Sequence, residues 1–239
     1  MKKFLKKYAF SIVCLCCFVL FTIEAKIIDV KPVGPLGSEV GFASINMAVR
    51  NFIQNTVPVR FQELCYTFTK LAAVLAILTA GFFAVFGLLQ LIHRKSLVKV
   101  DWEILMLGVV YAATIALYVL FEKIAINFRP VLEDGVLEPS YPSTHTMIVF
   151  CIFGSAVFAF RRYLADKKLY RVTKGFCIAI VVLTVLGRLV SGVHWFSDII
   201  GGMLISLAIV LFYKAAVAKC DAKSGSTSNE TPEIQNDKE

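Results

Sequence analysis

The chain has 239 residues, of which 58% are hydrophobic and 18% charged, at a mean hydropathy of +0.73. No water-soluble globular domain of this size carries that composition, so a large soluble catalytic domain is excluded and a membrane bundle remains. The net charge of +8 comes from basic residues interleaved with apolar segments rather than gathered on one domain, which argues against a nucleic-acid partner and for topology signals.

Six apolar segments follow in chain order, at about Tyr8–Ile23, Leu71–Ile92, Ile104–Phe121, Thr146–Phe160, Gly175–Leu189 and Ile199–Tyr213. A helix needs roughly 20 residues to cross the hydrocarbon core. The expected fold class is therefore all-α, a polytopic membrane protein with six transmembrane helices. Residues 1–25, with Lys2, Lys3, Lys6 and Lys7 ahead of an apolar run, read as an N-terminal anchor. A cleaved signal peptide is the alternative, disfavoured because Ile23-Glu24-Ala25 lacks small residues at both cleavage-site positions.

Residues 26–66 form the next unit, opening on turn residues Pro32, Gly34, Pro35 and Gly37. Phe42, Ile45, Val49, Phe52 and Ile53 then recur at helical spacing, which predicts a short amphipathic helix that either lies on the outer membrane face or caps the bundle. Residues 67–213 form the core. The tail, residues 214–239, ends in SGSTSNETPEIQNDKE and is expected to be disordered in the cytoplasm. Seven cysteines are an odd number, and five of them lie inside apolar runs, so no disulfide framework is implied.

Orientation follows from the Lys and Arg excess of short cytoplasmic loops. The N-terminus, the loop with Arg94, Lys95 and Lys99, and the loop from Arg161 to Lys174 all fall on one side if every segment crosses once. The remaining connections face outward, and they carry three polar clusters. FEKIAINFRP holds Glu122, Lys123 and Arg129; SYPSTH holds Ser143, Thr144 and His145; GRLVSGVHWFSD holds Arg188, His194 and Asp198.

These residue types suit phosphate chemistry. Arg129 and Arg188 supply planar forked donors for nonbridging oxygens, and Pro142-Ser143-Thr144 leads into a helix start, itself an anion site. His194 and Asp198 are spaced i,i+4, so a carboxylate can fix the imidazole tautomer and leave the other nitrogen to attack phosphorus. His145 is then available to protonate the leaving oxygen and activate water. Taken singly, each element has an ordinary reading: an interfacial anchor, a helix cap, a hydrogen-bonded histidine. Their convergence on one membrane face, where ionisable groups are expensive, points to function.

The clusters resemble the three signatures of the type 2 phosphatidic acid phosphatase superfamily, Lys-x6-Arg-Pro, Pro-Ser-Gly-His and Ser-Arg-x5-His-x3-Asp. Here the second reads Pro142-Ser143-Thr144-His145 and the third Arg188-x5-His194-x3-Asp198, with the span layout alike over about residues 67–213. The resemblance implies a six-helix bundle and a metal-independent, cofactor-free phosphatase of a bacterial inner or plasma membrane with an outward-facing site. It implies His194 as nucleophile, Asp198 as its orienting partner and His145 as acid and base, with Arg129, Arg188, Ser143, Thr144 and Lys123 binding phosphate. The implied partners are a phospholipid or polyprenyl phosphate and the bilayer, with substrates such as phosphatidic acid, phosphatidylglycerol phosphate or undecaprenyl diphosphate.

Three positions depart from the pattern. Thr144 stands for Gly, Gly187 stands for Ser, and Lys123 lies six residues before Arg129 with Glu122 at the expected place. On a straight helix seven residues return to nearly the same face, so Glu122 is expected to face the site and pair with Arg129 or Arg188, while Lys123 either reaches phosphate through a loosened last turn, the favoured reading, or anchors at the interface as a bystander. Alternative functions are a catalytically weakened binder or transporter of lipid phosphates, and a metal hydrolase using His145, His194 and Asp198 as ligands, against which the nearby arginines argue.

Overall fold

The computed structural model describes residues 2–226, with side chains described for residues 6–218. Among the described residues the chain forms seven α-helices and no sheet: α1 (Lys2–Ile27), α2 (Ala43–Thr56), α3 (Val59–Arg94), α4 (Trp102–Lys123), α5 (Thr144–Tyr163), α6 (Lys167–Val190) and α7 (Phe196–Ser226). Six of them, all but α2, are long and apolar enough to cross a membrane. Each of the six expected apolar segments lies inside one of these helices.

The helix ends differ from the sequence expectation at three places. The helix α3 starts at Val59, well before the apolar stretch at Leu71, and its first buried residue is Thr69, which meets Arg188. The helix α7 continues through Ser226, so residues 214–226 are helical, and the remainder of the expected disordered tail lies outside the described residues. The short helix α2 forms where predicted, but its buried residues are Ala43, Asn46 and Ile53, while Ile45 and Phe52 point outward. It caps the bundle through a partly polar face.

Helix α5 is the centre of the bundle and touches α3, α4, α6 and α7. Ala72, Ala73 and Ala76 of α3 pack against Val149, Ile152, Phe153 and Val157 of α5 and Cys177 and Ile180 of α6. Small residues allow this approach, which matters where lipid offers helices no hydrophobic drive to associate. Helix α1 packs along α7, with the Ser11 hydroxyl donating to the Ala208 carbonyl at 2.8 Å. At the end holding the basic loops, Asp101 accepts from Arg94 at 2.7 Å, Gln90 at 2.9 Å and Tyr163 at 2.9 Å, tying α3 and α5 to the start of α4.

At the opposite end an aromatic plug fixes the connection before α5. Tyr141 lies near the rings of Phe18, Phe21 and Phe121, with centroids at 6.3, 6.5 and 6.0 Å, and its hydroxyl shares a 2.8 Å hydrogen bond with Thr22. It is 1% exposed, and it fits only because α7 has a glycine beneath it: a Cβ on Gly201 would stand 2.5 Å from the ring.

Gly201→Ala should therefore destabilise the protein by about 1–3 kcal/mol through overpacking, read as earlier thermal unfolding of the detergent-solubilised chain. Unfolding at the native temperature would contradict this packing.

Candidate active site

The C-terminal ends of α4 and α6 and the N-terminal ends of α5 and α7 meet at one end of the bundle, and all three polar clusters lie there. Arg188, in the last turn of α6, is 0% exposed. Its Nη2 lies 2.8 Å from His145 Nδ1 on α5, and its Nη1 donates to Thr69 Oγ1 on α3 at 3.4 Å. A guanidinium can only donate, so His145 Nδ1 is the acceptor and the proton of the neutral ring sits on Nε2.

His194 lies in the turn between α6 and α7 and is buried. Its Nδ1 is 3.6 Å from Asp198 Oδ2, and among the described residues neither ring nitrogen has a hydrogen-bond partner. Burial first, then the charges of Arg188 and Arg129, push its pKa well below the ordinary imidazole value. The ring is uncharged at neutral pH. Asp198, 0% exposed, is held from two sides: Oδ2 accepts from the Trp195 backbone N–H at 3.0 Å, and Oδ1 from Asn127 Nδ2 at 3.2 Å.

The Asp198 carbonyl accepts from the backbone N–H of Ser143 at 3.0 Å, which fastens the start of α5 to that of α7. Ser143 is the N-cap residue of α5, yet its side chain makes no capping bond; its hydroxyl instead accepts from Thr146 at 3.1 Å. Thr144 turns to the α4 side and lines a small cavity with Glu122 and Tyr141, away from the pair of His145 and Arg188.

Arg129 carries two carboxylate partners, Glu133 and Glu138. Glu122 makes neither of these contacts. It is exposed, as is Lys123, and no ion pair joins either residue to the site among the described residues. The argument from a shared helical face fails because α4 ends at Lys123. Beyond it the chain is non-helical, with Phe128 bridged to Pro139, so Arg129 is aimed by that bridge and not by α4.

Gly187, at the position of the expected serine, faces α3: a Cβ there would lie 2.9 Å from Thr69 Cγ2. The missing side chain lets α3 approach closely enough for Thr69 to meet Arg188.

Several residues around the site carried no recognisable signal in the sequence. Asn127, 0% exposed, donates to Asp198 and Ser197 and accepts from the Gly41 N–H at 3.1 Å. Asn46 of α2 holds Ser197 from both sides, donating to its hydroxyl at 2.9 Å and accepting from its N–H at 3.0 Å. Arg50 of α2 donates to the Gly192 carbonyl at 3.2 Å and lies over the Trp195 ring. From α3, the Tyr66 hydroxyl donates to Glu133 at 2.7 Å. An asparagine two residues before Arg129, in a segment that ends a span, was the one available hint. No group of three His, Cys, Asp or Glu side chains that could hold a metal occurs among the described residues.

The chain is 28% identical over 96 residues to phosphatidylglycerophosphatase B of Bacillus subtilis (strain 168), a match spanning 38% of this chain and 44% of that relative. Its fold is similar to the crystal structure of a transmembrane PAP2-type phosphatidylglycerolphosphate phosphatase from Bacillus subtilis, at a TM-score of 0.61 and 18% identity, covering 94% of this chain and 99% of that one. The sequence model of the PAP2 superfamily matches residues 75–221, more than half of the chain and the stretch that contains all three polar clusters. On that match this integral membrane protein belongs to the PAP2 superfamily of phosphatases.

Proposed function

We propose that the protein hydrolyses a lipid phosphate or diphosphate through a phosphohistidine intermediate at the outer membrane face. The observation that carries the reading is His194: a buried, uncharged imidazole with two unbonded nitrogens, beside the fixed carboxylate of Asp198. A closure of roughly 0.5 Å would bring Nδ1 into hydrogen-bond range of Asp198. The proton is then held on Nδ1, and Nε2 presents its lone pair to phosphorus.

The arginines and the start of α5 supply the positive potential. The first N–H groups of α5 receive no side-chain cap, so they are available to phosphate oxygens. Arg188 has two roles in sequence. Before substrate binds it donates to His145; a phosphate that draws the guanidinium away frees His145 Nδ1 to take a proton. The protonated ring can then act as an acid. His194 Nε2 bonds to phosphorus as the phosphorus–oxygen bond to the lipid breaks, and His145 protonates the departing oxygen. In the second half His145 takes a proton from water, the water oxygen bonds to phosphorus, and the phosphorus–nitrogen bond breaks to release phosphate.

With cations supplied by Arg129 and Arg188, the reaction needs no metal. The names of the two Bacillus relatives make phosphatidylglycerol phosphate the first substrate to test, with phosphatidic acid and undecaprenyl diphosphate beside it. The basic loops at the end opposite the site support an outward orientation.

His194→Ala should abolish phosphate release from these lipids while leaving folding intact, because no other imidazole stands beside Asp198 among the described residues. Turnover above about 10% of the native rate would rule out the covalent route.

The pH profile has a definite sign. Because burial and the arginines depress the pKa of His194, the nucleophile stays unprotonated as pH falls past the ordinary imidazole value near 6.5. The acid limb of kcat/KM should lie below that pH, and a limb above about pH 7 would contradict the assignment.

In a background lacking the native cysteines, a membrane-impermeant thiol reagent on intact cells should label Asp134→Cys and spare Lys167→Cys. The reverse pattern would turn the site to the cytoplasm.

A further inference from the structure

We propose that Lys70 and Tyr66 of α3 complete the phosphate-binding site, and that the Glu133 carboxylate occupies the place a substrate phosphate takes. The inference rests on the lipid-phosphatase reading and adds residues to it. Its starting point is a shortage of cations. The first family signature supplies a lysine ahead of Arg129, but here Lys123 is exposed and makes no ion pair with the site among the described residues.

Lys70 of α3, likewise exposed and without an ion pair among the described residues, differs from Lys123 in standing beside a residue that contacts the site. Lys70 Nζ lies 3.5 Å from the Tyr66 hydroxyl and 4.8 Å from the centroid of its ring. Arg188 also lies over that ring, at 5.4 Å. Two cations drawn to one aromatic ring repel each other, and an anion is needed to hold them together. That anion is Glu133. Its Oε1 accepts from Tyr66 at 2.7 Å and its Oε2 pairs with Arg129.

The electrostatics of Glu133 support the geometry. Burial works to raise its pKa, but the Tyr66 hydroxyl and the charges of Arg129, Lys70 and Arg188 outweigh burial and hold the carboxyl ionised. While Glu138 meets Arg129 alone from the other side at 3.2 Å, Glu133 sits among two arginines, a lysine and a phenolic donor. This is the donor set that a phosphate dianion requires. Glu133 lies on the connection between α4 and α5, in a tight turn bridged to Val136, and not in a helix. It can therefore move out as phosphate enters, and Arg129, Tyr66 and Lys70 exchange one anion for another.

The ordinary reading of Lys70 is an anchor at the membrane interface, just before the apolar stretch from Leu71. An anchor and a phosphate ligand respond differently to substitution. Vanadate binding to the purified full-length protein in detergent, measured by calorimetry together with kcat and KM on phosphatidylglycerol phosphate, separates them.

Lys70→Met should weaken vanadate binding by about tenfold or more, and Lys70→Arg should retain it within about threefold. Tyr66→Phe, which removes only a hydroxyl, should also weaken it, so a folding defect in one variant leaves another to decide. Glu133→Gln should tighten vanadate binding, since the internal competitor loses its charge, and Lys123→Met should lose less than Lys70→Met. Native vanadate affinity in Lys70→Met and Tyr66→Phe would overturn the inference, as would a Glu133→Gln protein that binds more weakly than native. If the native protein neither binds vanadate nor releases phosphate, the fault lies with the reaction assigned above, and this inference falls with it.

Discussion

A guanidinium with 0% exposure at the end of a membrane helix has to be surrounded by groups that replace its water, and much of the outer end of this protein can be read as the consequence. Arg188 is met by an imidazole nitrogen from α5, a hydroxyl from α3 and an aromatic face from α3. None of the three is a carboxylate. With no direct counter-ion among the described residues, the guanidinium's positive field stays available, and it depresses the proton affinity of His194 as well. A carboxylate locked onto Arg188 would have stabilised the buried charge better and left less for a phosphate. The nearest acid, Glu133, is held at one remove through Tyr66 and Arg129.

The rest of the site is built by fixing backbone. Asn46 and Asn127 both reach Ser197, and through Asn127 the same network reaches Asp198. Each is an amide with donors and an acceptor, which suits it to satisfying buried main-chain and side-chain groups at once. The helix α2 contributes here by packing Asn46 and Arg50 onto the turn that carries His194, so its role is positional. Tyr141 does the same for the start of α5, wedged between α1 and α7. The first helix is thereby part of the scaffold of the site, linked to it through Phe18, Phe21 and Thr22.

The six spans and the gathering of the three clusters at one end were legible because both depend on features that a sequence displays directly: apolar runs of sufficient length and the parity of crossings. The i,i+4 spacing sets His194 beside Asp198, and the parity brings Arg188 and His145 to the same end, although their direct contact is visible only in the structure. What the sequence concealed depends on contacts between distant segments. The early start of α3 was hidden because Arg60, Gln62, Glu63, Thr69 and Lys70 make residues 59–70 too polar to read as a span, although Tyr66 and Thr69 reach Glu133 and Arg188. Glu122 misled because a helical-face argument was carried across Ile124, where the helix has already ended. Glu133 and Glu138 resemble loop charges in the sequence, and their pairing with Arg129 exists only because Phe128 and Pro139 are bridged. Gly187 reads as a lost hydroxyl until α3 is seen at 2.9 Å from its missing Cβ.

The central claim is that His194 becomes covalently phosphorylated during turnover. Rapid acid-free quenching of the purified protein with phosphatidylglycerol phosphate, followed by digestion under alkaline conditions and mass spectrometry, reads it directly. The account predicts a base-stable, acid-labile phosphoryl group on the peptide that carries His194, absent from the His194→Ala protein. Steady phosphate release with no phosphoryl group on that peptide at any time point would contradict it.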